Sequence, residues 1–206
     1  MKNQNKTPDF IGKNILLGLE SIKRSKKYIY FSIGLFFFFV LLALILPVPA
    51  EIDRTIRNIL EVILFKAFGL EEINLIAFIF NNNLNASVIG LFAGIFFGIV
   101  PLIFAISNGY MLGYVIKNLI AHLGFFNGTL SLWRLLPHGI FELPAIFISI
   151  GIGLRLGFSL ILALNNSDFR IFWSDLKDAL RVLVLIIIPL LVLAAIIEGS
   201  LMILLG

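Results

Sequence analysis

Residues 73–116 contain no Asp, Glu, Lys or Arg, and residues 28–48 form a second uncharged stretch. A helix needs about 20 apolar residues to cross the ~30 Å hydrocarbon core of a bilayer, so both stretches are long enough to span it. The chain is 60% hydrophobic and 14% charged, whereas soluble domains average roughly 45–50% and about 25%. The sequence therefore predicts an all-α integral membrane protein and argues against a water-soluble domain.

Apolar stretches and turn residues predict about five transmembrane helices in one polytopic domain over residues 28–206. The spans are expected at about residues 28–48, 84–106, 110–126, 138–164 and 182–205. We place the turn between the second and third spans at Asn108-Gly109, because both residue types tolerate a left-handed backbone. The third segment is short and carries Lys117 and His122, so a re-entrant segment is the alternative to a span there.

Two further segments flank the first span. Residues 51–72 carry eight charges and keep apolar side chains on one helical face, which predicts an amphipathic extracytoplasmic helix that lies on the membrane or docks a partner. The uncharged stretch at 28–48 exceeds the ~7–15 apolar residues of a signal peptide, so we expect it to be an anchor.

Basic residues predict the orientation of the chain. Residues 1–27 hold seven Lys and Arg residues and are expected to form a basic cytoplasmic surface segment. Cytoplasmic segments of membrane proteins accumulate Lys and Arg. Five spans place ten bases on the N-terminal side and four on the other, whereas a re-entrant third segment gives eight and six. We predict a multi-pass cell-membrane protein with a cytoplasmic N-terminus. Its net charge of +4 is expected to interact with the lipid bilayer and not with nucleic acid.

Ionisable side chains inside spans are costly, at least about 2.5–3.5 kcal/mol each at the helix centre without a partner or water. Five fall within or beside the predicted spans: Lys117, His138, Glu142, Arg155 and Glu198. His138 and Glu142 are four residues apart and therefore share one helix face. Pro137 and Pro144 remove backbone donors and Gly139 allows close backbone approach, so we predict a backbone bend at these three residues.

Three interpretations of His138 and Glu142 are open. They form a buried clamp with Arg155 or a neighbouring helix, they face an aqueous cavity that binds a cation, proton or polar solute, or His138 acts as an acid or base. Catalysis lacks an evident nucleophile. The chain has no cysteine, and its second histidine is sixteen residues away, unlike a His-Glu-x-x-His zinc motif. We therefore expect no enzymatic activity, no metal and no cofactor.

Glycines supply a packing signal. Gly90, Gly94 and Gly98 recur every four residues, and Gly109 and Gly113 repeat the spacing. Small residues at this spacing let two helices approach closely. The contact lies either within the chain or between two copies, and we expect a homo-oligomer, most simply a dimer.

One longer motif carries a resemblance to a known family. Residues 136–145 are Leu-Pro-His-Gly-Ile-Phe-Glu-Leu-Pro-Ala, and residues 153–157 are Gly-Leu-Arg-Leu-Gly. With Phe80-Asn81-Asn82 and Asn108-Gly109 in the same order, the chain resembles the stage II sporulation protein M family. The resemblance implies a multi-spanning cell-membrane protein, similar in spore formers to a scaffold for peptidoglycan-remodelling enzymes. The polar positions that it carries over are His138, Glu142, Asn82, Asn108 and Arg155.

These observations predict one polar core and a function. The bent segment 137–144 is expected to meet Arg155 and the asparagines of the second and third helices. We predict a non-enzymatic integral membrane scaffold or assembly subunit for membrane or envelope partners. The alternative is a channel or transporter-like protein with a polar intramembrane site at His138 and Glu142.

Overall fold

A computed structural model describes residues 10–67, 72–131 and 136–205. Every regular element within these residues is helical. The α-helices are α1 Phe10–Ile45, α2 Ala50–Ala67, α3 Glu72–Phe92, α4 Ile99–Ser131, α5 Leu136–Asn166, α6 Arg170–Val182 and α7 Ile188–Leu205. A short 3-10 turn, Ala93–Ile95, follows α3, and a π-helical segment, Leu183–Ile187, joins α6 to α7.

Five helical segments of the described chain are long and apolar enough to cross a membrane. They are Phe10–Ile45, Ile73–Ile95, Ile99–Leu130, Ile140–Asn166 and Arg170–Glu198. This confirms the predicted fold class, an all-α membrane protein with about five spanning helices. Residues 10–27 of the basic segment and the first span form one continuous helix, α1.

The turn between the second and third spanning helices differs from the prediction. The chain reverses at residues 93–98, where Phe97 and Gly98 have positive φ angles of 54° and 75°. Pro101 fits the first turn of α4, where a helix needs no donor. Asn108 and Gly109 lie inside α4, so the predicted turn there is wrong, and with it the helix bounds 84–106 and 110–126.

Gly109 serves packing instead of turning the chain. A Cβ atom on Gly109 would lie 2.3 Å from the carbonyl oxygen of Phe36, and one on Gly113 would lie 2.4 Å from that of Val40. The same register continues to Lys117, which contacts the end of α1. Residues 110–123 therefore continue the helix that begins at Ile99 and runs parallel to α1. The helical path breaks at Gly124, where φ is 78° and ψ is 163°, and Gly128 beyond this kink packs back against Ile120.

Pairs of contacting residues give the direction of the other helices. α5 runs antiparallel to α1, because Phe147 packs on Phe36 and Gly151 on Ile29. α3 runs parallel to α5, with Asn83 beside Glu142 and Gly94 beside Gly153. We call the end of the bundle that holds residues 10–27, the turn at 93–98 and α6 the basic end. The opposite end holds α2 and the start of α5.

The centre of the bundle is α5, which is by far the most buried of the five spanning helices. It packs against α1, α3, α4, α6 and α7. Small residues such as Ala145, Ser149 and Gly153 let these neighbours approach it closely. Phenylalanines such as Phe31 and Phe38 point outward from α1, as expected for lipid-facing side chains.

Candidate functional site

Glu142 lies on the face of α5 that packs against α3. Its side chain is 0% exposed, and its Oε1 accepts a hydrogen bond from the Nδ2 of Asn83, which is itself buried. Pro144 follows two residues later, inside α5, and removes the donor that the carbonyl of Ile140 would otherwise meet. The helix nevertheless continues from Leu136 to Asn166, so the predicted bend does not break it.

Two other predicted members of the polar core, Asn82 and Asn108, do not lie at Glu142. Asn82 is exposed, since its neighbour Asn83 takes the inward position on α3. Asn108 donates from Nδ2 to the carbonyl of Phe104 in its own helix, at 2.8 Å. Pro137, His138 and Gly139 belong to the α5 backbone, but their side chains lie outside the part that the structure describes.

Arg155 belongs to a different site, near the basic end. It is thirteen residues beyond Glu142, which corresponds to about 20 Å along a helix. Its Nη2 lies 2.9 Å from Oδ1 of Asp175. Its Nη1 donates to the carbonyl of Ser21 at 2.9 Å and to the Oγ of Ser25 at 2.8 Å. The prediction of a single polar core that joins Glu142 and Arg155 is therefore wrong.

A second carboxylate completes this site. Asp178 accepts hydrogen bonds from Arg24 and, at 2.7 Å, from the Nη1 of Arg181. Its Oδ2 lies 3.8 Å from Nη2 of Arg155. We refer to the five charged residues that share these contacts as the Arg155 cluster: Arg24, Arg155, Asp175, Asp178 and Arg181.

The Arg155 cluster fastens α1, α5 and α6 to one another. Buried charges are tolerated when each has an opposite charge and hydrogen bonds close by, and the cluster provides both. Asp175 and Asp178 are the residues that sequence reasoning missed. A signal was present: they share a helix face with Phe172, Ala179 and Val182, so two acids sit on what is otherwise the apolar face.

The glycine row is filled by contacts within the chain. A Cβ atom on Gly94 would lie 2.0 Å from the carbonyl oxygen of Gly153, whereas on Gly90 and Gly98 it would meet Ile150 and Leu154 at 3.4 Å. The intramolecular alternative is therefore the one observed. This face is not free to bind a second copy of the chain.

Polar contacts at the opposite end hold α2 on the bundle. The hydroxyl of Tyr114 in α4 donates to Oδ1 of Asp53 at 2.6 Å, and Arg57 donates to Oδ2 at 2.8 Å. These hydrogen bonds, the one from Arg57 first, lower the pKa of the half-buried Asp53 carboxyl. Lys117 donates from Nζ to the carbonyl of Leu46 at 2.5 Å and so stabilises the C-terminal end of α1.

The sequence of the whole spanning region identifies the family. A family model described as Stage II sporulation protein M matches residues 29–201. The chain belongs to the stage II sporulation protein M family. It is 31% identical over 192 residues to the uncharacterized protein MJ0706 of Methanocaldococcus jannaschii, with 88% of this chain and 84% of the relative covered.

A second protein is also similar to this stage II sporulation protein M family member. It is the uncharacterized protein MJ0793 of the same organism, 37% identical over 123 residues, with 58% of this chain and 66% of the relative covered. No solved structure matches the chain. The stage II sporulation protein M match takes in Asn83, Glu142, Arg155, Asp175 and Asp178, and it begins after the α1 residues that contact the Arg155 cluster.

Within the described ranges, no group of three His, Cys, Asp or Glu residues could hold a metal ion. The Arg155 cluster contains three guanidinium groups, which repel cations. Its arrangement suits the fastening of helices, because every charged group in it faces an opposite charge.

Proposed function

We propose that this membrane protein is a non-enzymatic scaffold that assembles partners at the membrane, with α2 as a binding surface. The observation that carries the proposal is a shallow, open groove on the exposed face of α2 itself, lined by Asn58, Glu61, Val62 and Phe65. Phe65 is 85% exposed beside the carboxylate of Glu61. A large aromatic side chain next to a charged residue is a typical anchor of a protein interface.

The attachment of α2 supports this use of the groove. The Asp53–Tyr114 hydrogen bond links α2 to α4, so a partner would bind a helix that is already attached to the bundle and would lose less conformational freedom on binding. The burial of Glu142 and Asn83 also favours assembly over conduction, since a transported solute would need water or an open path at this pair.

The proposal includes an orientation. We place the protein in the cell membrane with the basic end in the cytoplasm, because Lys and Arg accumulate on that side of membrane proteins. The groove on α2 would then face the envelope. The expected homodimer would have to form through a surface other than the glycine row, which this chain's own helices fill.

The test compares two exposed phenylalanines. Phe65→Ala removes the proposed anchor, and Phe38→Ala removes an exposed aromatic side chain of α1 as the matched control. We expect a protein partner to co-purify from native membranes at a fixed molar ratio, to be lost with Phe65→Ala and to be kept with Phe38→Ala. A ratio that neither variant changes would overturn the role of α2. Solute flux in proteoliposomes that Glu142→Gln abolishes would instead establish transport.

A further inference from the structure

The fold changes the charge that α6 presents to its surroundings. Residues 168–181 contain three acidic and three basic residues and are neutral as a sequence. Asp175 and Asp178 are only 9% and 3% exposed, because both point inward to the Arg155 cluster. Asp168 is tied to Arg170 at 2.8 Å. The outward face of α6 is therefore basic, although its sequence is balanced.

Apolar residues share that outward face. Trp173 is 55% exposed and Leu180 is 48% exposed. Lys177, which is also exposed, is four residues from Trp173 and three from Leu180, so the three side chains form one stripe. A stripe of Trp, Lys and Leu is typical of a helix in the headgroup region of a bilayer, where the aromatic ring has an apolar body and a polar edge.

Lysines of α1 extend the basic surface. Arg24 of α1 contacts Asp178 of α6, so the two helices meet at this level. Lys23 and Lys27, beside Arg24 and one turn beyond it, are exposed and form no ion pair among the described contacts. Within residues 10–27 of α1, these lysines are opposed by one exposed acidic residue, Glu20.

The position of this surface matches the boundary of the membrane. The α3–α4 turn lies at the same level, because Gly94 packs on Gly153 and Gly98 on Leu154, next to Arg155. A hairpin between two spanning helices must reverse where its backbone can reach water or headgroups. The exposed stripe and the lysines of α1 therefore lie at the depth of lipid headgroups.

We propose that the outward face of α6, together with Lys23 and Lys27, binds the headgroups of anionic phospholipids. The Arg155 cluster contributes indirectly, since it removes two carboxylates that would repel the lipid phosphate. Trp173 places its ring at the headgroup level beside Lys177. The occupant is anionic lipid of the surrounding bilayer, selected over zwitterionic lipid by the charge of these lysines.

Trp173 makes a local measurement feasible. The chain has two tryptophans, so Trp133→Phe leaves Trp173 as the sole tryptophan reporter. The full-length protein is placed in vesicles of phosphatidylcholine and phosphatidylglycerol, and quenching by brominated phosphatidylglycerol is compared with quenching by brominated phosphatidylcholine at the same mole fraction. We expect a preference for phosphatidylglycerol of roughly 5-fold, the effect of about one lysine at an anionic surface.

Two variants test the assignment. In Lys23→Gln/Lys27→Gln/Lys177→Gln the preference should fall to about 1, with the thermal midpoint unchanged. Arg54→Gln, on α2 at the opposite end, should keep the preference. Equal quenching of Trp173 by both lipids in the protein that keeps all three lysines would overturn the proposal. An unchanged preference in the triple variant would overturn it too. If neither lipid quenches Trp173, or if added inorganic phosphate abolishes the preference for phosphatidylglycerol, the proposal is also overturned.

Discussion

Replacing Gly94 by alanine tests the close packing of the turn at 93–98 on α5. The new Cβ atom would lie 2.0 Å from the carbonyl oxygen of Gly153, 2.6 Å from its carbonyl carbon and 2.8 Å from its Cα. All three are backbone atoms, so no side-chain rotation relieves the overlap, and the turn at 93–98 has to move away from α5. Overpacking a tight site costs typically 1–3 kcal/mol. We expect about 3 kcal/mol here, because the obstacle is backbone.

Gly34→Ala is the matched control for this prediction. Gly34 also lies in a spanning helix, α1, but a Cβ atom there would meet no atom within 4 Å. Alanine in place of glycine stabilises a helix by roughly 0.5–1 kcal/mol. For a chain of this size, about 3 kcal/mol lowers the thermal midpoint by about 6–12 °C. If Gly94→Ala unfolded in lipid nanodiscs at the same temperature as Gly34→Ala, the proposed packing of α3 on α5 would be refuted.

Three further substitutions probe polar contacts, each read as thermal midpoint or amide exchange in nanodiscs. Arg155→Met should destabilise the fold by about 3–5 kcal/mol, because it leaves the buried carboxylate of Asp175 without its ion-pair partner, and adding Asp175→Asn should recover part of the loss. Lys117→Met should cost about 0.3–1 kcal/mol by removing a cation from the C-terminal end of α1, and an unchanged midpoint would exclude that role. Tyr114→Phe should remove about 1 kcal/mol from the attachment of Asp53. Exchange in α2 should then rise roughly 5-fold, and a rise spread over the whole bundle would contradict a local effect.

The sequence predicts the spanning helices well because hydropathy is a local property. A helix that crosses lipid must be long and apolar whatever it packs against, so the uncharged stretches suffice. The turn at 93–98 could not be placed this way. Glycine permits both a left-handed backbone and a close helix contact, and only the folded chain shows that Gly98 does the first and Gly109 the second.

The polar sites depend on the register of helices that are distant in sequence. Asn82 and Asn83 are equivalent candidates in a run of asparagines, and a rotation of about 100° on α3 decides which one meets Glu142. The partner of Arg155 was harder to predict, because Asp175 and Asp178 lie beyond the next loop, in a segment that reads as a charged surface helix. Their inward orientation follows from the contact of α6 with α1 and α5.

The polar contact at Glu142 is expected to be sealed from water inside the bundle, as a scaffold requires and a conduit does not. The chain has no native cysteine, so Ala145→Cys, three residues from Glu142 at a position that is 0% exposed, reports directly on water access. In nanodiscs, a sealed contact predicts no reaction of Ala145→Cys with a charged maleimide until the protein is unfolded, while Asn58→Cys on the exposed face of α2 reacts at once. Reaction of Ala145→Cys at a rate close to that of Asn58→Cys would contradict it.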